Sequence, residues 1–334
     1  FVTAIIWFLK KYADGKYCTL PHVIELMLAD YDELFPILNT QPEIEVLVNP
    51  FITAYQNDAM EQLEGQVASA KIGMARLASP QLYWVLSGND FTLDINNPRH
   101  PKIFCVGNNP EKQQIYGAVL SLYISRLVRQ VNKKGMLKCS LVFDEFPTIY
   151  FNNMDSLIAT ARSNKVATTL AMQDFSQLKK DYGREQAEVI VNITGNIISG
   201  QVMGDTAKVL SERFGKIMQD RQSVSINRTD TSVSHSRQLD SAIPASKIAA
   251  LSSGEFVGLL SDNPDEKIKL KMFHAEIMND TDRLNAEINH FEEIPAQSNV
   301  TQQQVLDNYY QVKMEVRRLV EEEVNRLKSE LKQD

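Results

Sequence analysis

The chain has 334 residues, 43% of them hydrophobic and 23% charged, which suits about two globular domains with a sizeable core. Its formal net charge of −7 excludes a protein that grips nucleic acid over its whole surface, so any such contact must sit on a local basic region. Cys18, Cys105 and Cys139 are far apart and the five histidines form no pair at ligand spacing, so neither a disulfide framework nor a metal site of protein ligands alone is expected.

Phe1–Leu9 is an apolar run too short to span a bilayer, without the basic flank or cleavage site of a signal peptide; it reads as a core helix cut into by the start of the sequence. Residues 1–78 are rich in helix formers and predict a small all-α domain. Thr19-Leu20-Pro21 marks a helix start, and Tyr31–Leu38, Ile44–Tyr55 and Ala59–Leu77 read as further helices.

From about residue 79 the period changes. Leu82–Leu86 and Lys102–Val106 read as short strands, with turn clusters at Gly88-Asn89-Asp90 and Asn96-Asn97-Pro98. Glu111–Val131 predicts a long helix and Cys139–Phe143 a strand. Helices are expected at Met154–Arg162, Ser176–Tyr182, Glu185–Ile193 and Thr206–Phe214, and strands at Val166–Met172 and Asn196–Gln201. This alternation predicts an α/β domain, a parallel sheet with helices on both faces, over residues 79–280.

Gln219–Ser241 is polar and Ser/Thr-rich, and reads equally as a protruding hairpin or a mobile loop, within a polar segment spanning 216–244. From Arg213 to Lys247, six Lys/Arg face three Asp, a local +3 in an acidic chain. Arg221, Arg228 and Arg237 are the candidate nucleic-acid contacts there. Glu255–Ser261 and Lys267–Phe273 read as edge strands. Residues 281–334 form a helical tail, in which Thr301–Lys332 carries Val305, Tyr309, Val312, Val316, Leu319, Val320, Val324 and Leu327 as a narrow apolar stripe.

The chemistry concentrates at Leu141-Val142-Phe143-Asp144-Glu145, where an apolar strand runs into two adjacent carboxylates and Phe146-Pro147 stop it. A buried strand delivers such a pair to its C-terminal edge in nucleotide-hydrolysing α/β domains. The first carboxylate, Asp144, suits Mg²⁺ held through water; the second, Glu145, suits orienting and deprotonating an attacking water. No G-x-x-x-x-G-K-[ST] phosphate loop occurs in the 334 residues, and the reading places it upstream.

Four segments in order carry a resemblance. They are Leu141–Pro147; Ala159-Thr160-Ala161-Arg162-Ser163; Leu170–Leu178 followed by Tyr182-Gly183; and Gly204-Asp205-Thr206-Ala207 running through Leu210-Ser211 to Phe214-Gly215. As a set they resemble the cytoplasmic part of type IV secretion coupling proteins, the TraG/TraD-like ATPases of bacterial conjugation. The resemblance implies a RecA-like sheet, with Leu141–Pro147 as its Walker B segment. Residues 1–78 match the helical domain inserted before that segment, a candidate for substrate recognition. The resemblance also implies ATP and Mg²⁺ as cofactors, Gln173 as a sensor of water or γ-phosphate, and Arg162 as a charge-stabilising arginine acting on a neighbouring subunit. Implied partners are a relaxase and its accessory proteins, single-stranded DNA, secretion-channel components and five further copies in a homo-hexamer. The implied location is the cytoplasmic face of the bacterial inner membrane. Two rivals are another RecA-like DNA pump, such as a chromosome-partition motor, and a non-enzymatic docking adaptor built on a degenerate ATPase fold.

Overall fold

Apolar residues at helical spacing build the first part of the molecule. The computed structural model describes residues 1–151, 154–226, 231–262, 267–269, 271–292 and 300–332, with backbone alone at 110, 114, 221–226 and 231–235. These fall into two units, Phe1–Thr92 with Ile294–Asp334, and Leu93–Glu293.

The first unit contains α1 (Val2–Lys11), α2 (Leu20–Met27), α3 (Tyr31–Asn39), α4 (Glu45–Gln56), α5 (Met60–Ala75), α6 (Pro80–Ser87) and the C-terminal helix, Gln302–Glu330. A capping box starts the last of these: the Thr301 side chain accepts from the Gln304 amide, and Gln304 answers by accepting from the Thr301 amide. Its stripe is narrow because only one face is covered. Val316, Leu319 and Val320 join Ile5, Phe8, Leu34 and Leu38 in one core, while Val312 packs with Ile24 and Tyr83. Polar ties fix the same face: the His22 ring bridges Thr19 (2.6 Å) and Glu315 (3.0 Å), and the Tyr83 hydroxyl donates to Glu25 (2.7 Å). Among the described residues no helix is long and apolar enough to cross a membrane.

Residues 82–86, expected as a strand, lie in α6, so the helical unit runs to Thr92 rather than 78. The start signal wins over the β-rich composition: the Ser79 side chain accepts from the Leu82 amide (3.3 Å), and Pro80 fits the first turn, where no amide is needed. Lys102–Val106 is not a strand either: among the described residues it joins no sheet, and Ile103 is 95% exposed.

The second unit begins with α7 (Gln113–Val131) and continues through β1 (Cys139–Phe143), α8 (Met154–Ala161), β2 (Val166–Leu170), α9 (Phe175–Tyr182), α10 (Arg184–Ile193), β3 (Ile197–Ser199) and α11 (Gly204–Phe214). It then runs through β4 (Lys216–Ile226), β5 (Thr231–Ser241), α12 (Ala245–Ala249), β6 (Glu255–Leu259), β7 (Met272–Glu276) and α13 (Thr281–Ile288). β1 and β2 pair in parallel, with Cys139 opposite Val166 and Phe143 opposite Leu170. Alternation divides their side chains between two faces. Leu141, Phe143 and Val166 enter a core with Leu127, Leu157, Leu178 and Ile190, so α7, α8, α9 and α10 all contribute to one covered face. The other face carries Ser140, Val142, Ala167 and Thr169; Val142 is 69% exposed.

Among the described residues the parallel sheet is the β1–β2 pair with its flanking helices. β3, although it precedes α11, pairs instead with β6 and β7 in an antiparallel sheet over a separate core of Leu210, Phe214, Ile248 and Val257. The last strand is Met272–Glu276 rather than Lys267–Phe273. The polar stretch takes the hairpin alternative over its described residues: β4 and β5 form a long antiparallel ribbon, pairing Lys216 with Ser241 and Ile226 with Thr231. Gly215, at φ +81°, makes the turn from α11 into it, a conformation that favours glycine.

Candidate functional site

The parallel pair fixes where the chemistry sits. Both strands end on the same edge, so the residues after Phe143 and after Leu170 meet there. The ladder continues one step beyond the strands: the Ala171 amide donates to the Phe143 carbonyl and the Phe146 amide to the Ala171 carbonyl, both at 2.9 Å. Asp144 and Glu145 are spanned by these two bonds and displaced outward.

Glu145 adopts a left-handed backbone, φ +51° and ψ +46°. A non-glycine residue loses roughly 1–2 kcal/mol there. Its neighbours offset this. The Glu145 carbonyl accepts from the Thr148 amide (2.9 Å) and hydroxyl (2.8 Å). Phe146, fully buried, packs its ring on Tyr182 with centroids 4.9 Å apart and touches Phe143 and Phe151. The Tyr182 hydroxyl in turn donates to the Ile149 carbonyl at 2.6 Å. The aromatic wall and the Thr148 bonds hold the turn that carries both carboxylates.

Gln173 reaches this turn from β2: its Nε2 donates to Glu145 Oε1 at 2.8 Å. Asp144 is exposed, and its Oδ1 accepts from the Glu145 amide at 3.1 Å; among the described residues no basic side chain pairs with it. An uncompensated carboxylate at a strand end, beside a second carboxylate held by an amide donor, suits a hydrated divalent cation and a water nucleophile. Next to Thr148 opens a recess of about 750 Å³, walled by Gln113, Gly117 and Ser121 of α7 and by Tyr150.

Arg162 lies elsewhere. It is exposed at the beginning of β2, the end opposite Gln173. Five strand residues separate those ends, about 16 Å at the usual rise. The structure therefore brings together Asp144, Glu145 and Gln173 and leaves Arg162 apart from them within one chain. Of the three ribbon arginines, Arg228 lies outside the described residues, Arg221 is placed by backbone alone opposite Ser236, and Arg237 pairs through Nε with Asp220 at 2.9 Å. Arg213 had counted toward the basic stretch, but its guanidinium donates to the carbonyls of Val191 and Thr194, so it closes the end of α10 instead.

Sequence reasoning assigned no role to Thr148, Asp174 or Thr206. Asp174 caps α9 by accepting from the Ser176 amide (2.6 Å) and receives the Thr206 hydroxyl on Oδ2 (2.8 Å). Burial alone would raise its pKa; the bonds from Ser176 and Thr206 overcome that and hold the carboxyl below its ordinary value. The Asp-Phe-Ser cap was legible in sequence, but its partner Thr206, 32 positions on, was not.

Comparison with known proteins follows this geometry. Residues 138–253 match the family model described as the TraM recognition site of TraD and TraG. No curated protein matches the chain in sequence. Among solved structures, the unbound bacterial conjugative coupling protein TrwB is 13% identical, with a TM-score of 0.62 over 83% of this chain and 61% of that one. TrwB with a non-hydrolysable ATP analogue is 15% identical (TM-score 0.62, 83% of this chain and 61% of that one), and TrwB with ADP and Mg²⁺ is 14% identical (0.59, 83% and 62%). This likeness shows the fold: a RecA-like α/β domain with flanking helices, joined to a small all-α part. The chain spans about 61% of the length of the solved TrwB chain. Over residues 138–253 the chain is thus similar to the TraD and TraG family in sequence, and over most of its length it shares the fold of the TrwB coupling protein.

Proposed function

We propose that the chain forms part of a DNA-translocating ATPase that couples a relaxase–DNA substrate to a type IV secretion channel during conjugation. It acts as a homo-hexamer at the cytoplasmic face of the bacterial inner membrane, with ATP and Mg²⁺ as cofactors. The observation that carries this reading is the Gln173–Glu145 hydrogen bond (2.8 Å) beside the exposed carboxylate of Asp144, at the C-terminal edge of two parallel strands. The TrwB structures bound to ADP with Mg²⁺ and to an ATP analogue support it.

Bound Mg²⁺·ATP would supply a phosphoryl group for transfer to water, with its charge already partly neutralised. The chain's own residues do the rest. Asp144 would hold the hydrated cation through its exposed carboxylate. Glu145 takes the proton of the attacking water, and Gln173 sets the direction of that carboxylate. Arg162, too far from the acidic pair of its own chain, serves the site of the next subunit. The ribbon, with Arg221, Arg228 and Arg237, faces single-stranded DNA by contact with phosphates, so its affinity falls with salt. The helical unit selects the relaxase, and residues 138–253, which match the TraM recognition model, receive accessory proteins.

Mg²⁺-dependent ATP hydrolysis by the full-length coupling protein, with and without single-stranded DNA, tests this directly when paired with plasmid transfer between cells. Asp144→Asn is expected to abolish both hydrolysis and transfer. Normal transfer by a hydrolysis-dead variant would overturn the motor and favour the docking adaptor.

A further inference from the structure

The hydrogen-bond chain behind the acidic pair is longer than the proposed reaction requires. Gln173 follows β2 with no regular structure of its own, and its side chain is exposed to competition from water at the strand edge. What fixes its backbone is the next residue. Asp174 uses one carboxylate oxygen to cap α9 through the Ser176 amide (2.6 Å) and the other to receive the Thr206 hydroxyl (2.8 Å). Thr206 is only 5% exposed. It sits in the first turn of α11, which is immobilised farther along by two further polar ties. Ser211 donates to the Ile243 carbonyl (2.7 Å), and Arg213 donates to the carbonyls of Val191 and Thr194. A threonine buried in a helix and turned toward a carboxylate in another element is a directional constraint. A cap alone fixes the start of α9, whereas the second bond fixes the position of that start against α11.

We infer that Thr206 and Asp174 are positioning residues: by pinning the chain immediately after Gln173 to α11, they hold the Gln173 amide against the Glu145 carboxylate. The inference rests on the proposed hydrolytic role of Glu145, but its geometric half does not. Loss of the Thr206 hydroxyl leaves a half-buried carboxylate oxygen short of one donor and lets the Gln173 segment shift by the fraction of an ångström that separates a productive from an unproductive general base.

Two measurements on Thr206→Val and Thr206→Ser test it. The first is the crystal structure of each variant of this chain. In Thr206→Val the Gln173 Nε2–Glu145 Oε1 separation is expected to open beyond about 3.5 Å, outside hydrogen-bonding range, and in Thr206→Ser to stay closed. The second is steady-state ATP hydrolysis by the full-length protein. Thr206→Val is expected to lower kcat about tenfold with KM within about twofold, and Thr206→Ser to restore at least half the loss, because a positioned base contributes to the chemical step rather than to nucleotide binding. An unchanged separation in Thr206→Val overturns the inference, as does an unchanged kcat, or a loss that Thr206→Ser fails to rescue. If Thr206→Val does not fold, Asp174→Ser, which keeps a cap acceptor but is too short to reach the Thr206 hydroxyl, is read by the same two criteria. If the wild-type protein hydrolyses nothing, the functional reading fails, and the separation in the variant crystals still decides the positioning role.

Discussion

The helical unit and the sheet unit treat their polar groups in opposite ways. In the helical unit, buried polar side chains are paired: His22 with Thr19 and Glu315, Tyr83 with Glu25. In the sheet unit, Asn96 Oδ1, Asn108 Oδ1, Asn164 Oδ1 and Thr168 Oγ1 are buried without a partner, the only such atoms among the described residues. Left-handed non-glycine residues occur in both units, Ala13, Asp14 and Asp58 in the helical one and Glu145 and Lys165 in the sheet one, while Val142 lies on an exposed sheet face of the latter. The two units thus differ in how completely their interiors satisfy polar groups, not in backbone strain.

The contrast can be broken most severely at Arg162. In a ring, Arg162→Ala is expected to cut ATP turnover by roughly 10³–10⁵-fold without altering the stability of either unit. Mixing it with Glu145→Gln subunits should restore partial turnover at interfaces where intact residues meet. A loss under about tenfold removes Arg162 from charge stabilisation.

Packing comes next. Leu319, 1% exposed, belongs to the helical core, so Leu319→Ala should lower the stability of that unit by about 2–5 kcal/mol in calorimetry while the sheet unit's transition stays put. A smaller loss is expected at the reactive edge. Thr148→Val removes the hydroxyl bond to the Glu145 carbonyl and should cost the sheet unit about 1 kcal/mol, with a fall in kcat as the left-handed turn loosens.

The smallest effect is a pH response confined to one unit. Burial is the main reason His22 has a lowered pKa, against the opposing bond and charge of Glu315. The folded helical unit thus binds fewer protons than its unfolded chain, and its stability should be constant above about pH 6.5 and decline as pH falls below it. His22→Gln should flatten that decline. Asp174, also lowered, contributes stability above about pH 3.9 and loses it only at lower pH, so the sheet unit should not follow between pH 6.5 and 5 through that group. Parallel decline of both units' transitions would contradict the division.

Much of this was readable from residue order. The acidic pair, Gln173 at the end of the next strand and the stripe of the last helix all depend on local alternation or helical spacing, and the structure places them where those periods put them. The α6 segment was misread because Leu82–Leu86 is short and apolar, a run in which periodicity cannot separate strand from helix; only the Ser79 cap decides it. The antiparallel pairing of β3 with β6 and β7 is not legible because it depends on contacts between residues 197–199, 255–259 and 272–276 that no local signal announces. Arg213 looked like surface charge until the carbonyls at the end of α10, about twenty residues earlier, were seen to receive it.

The central claim is that Glu145, gripped by Gln173 and half-buried beside the exposed Asp144, is the base of a nucleotide-hydrolysing site. Turnover by full-length Glu145→Gln at saturating Mg²⁺·ATP, with nucleotide affinity measured alongside, tests it most directly. The account predicts a kcat lower by roughly 10²–10⁴-fold with nucleotide still bound; a kcat equal to that of the unmodified protein would contradict it.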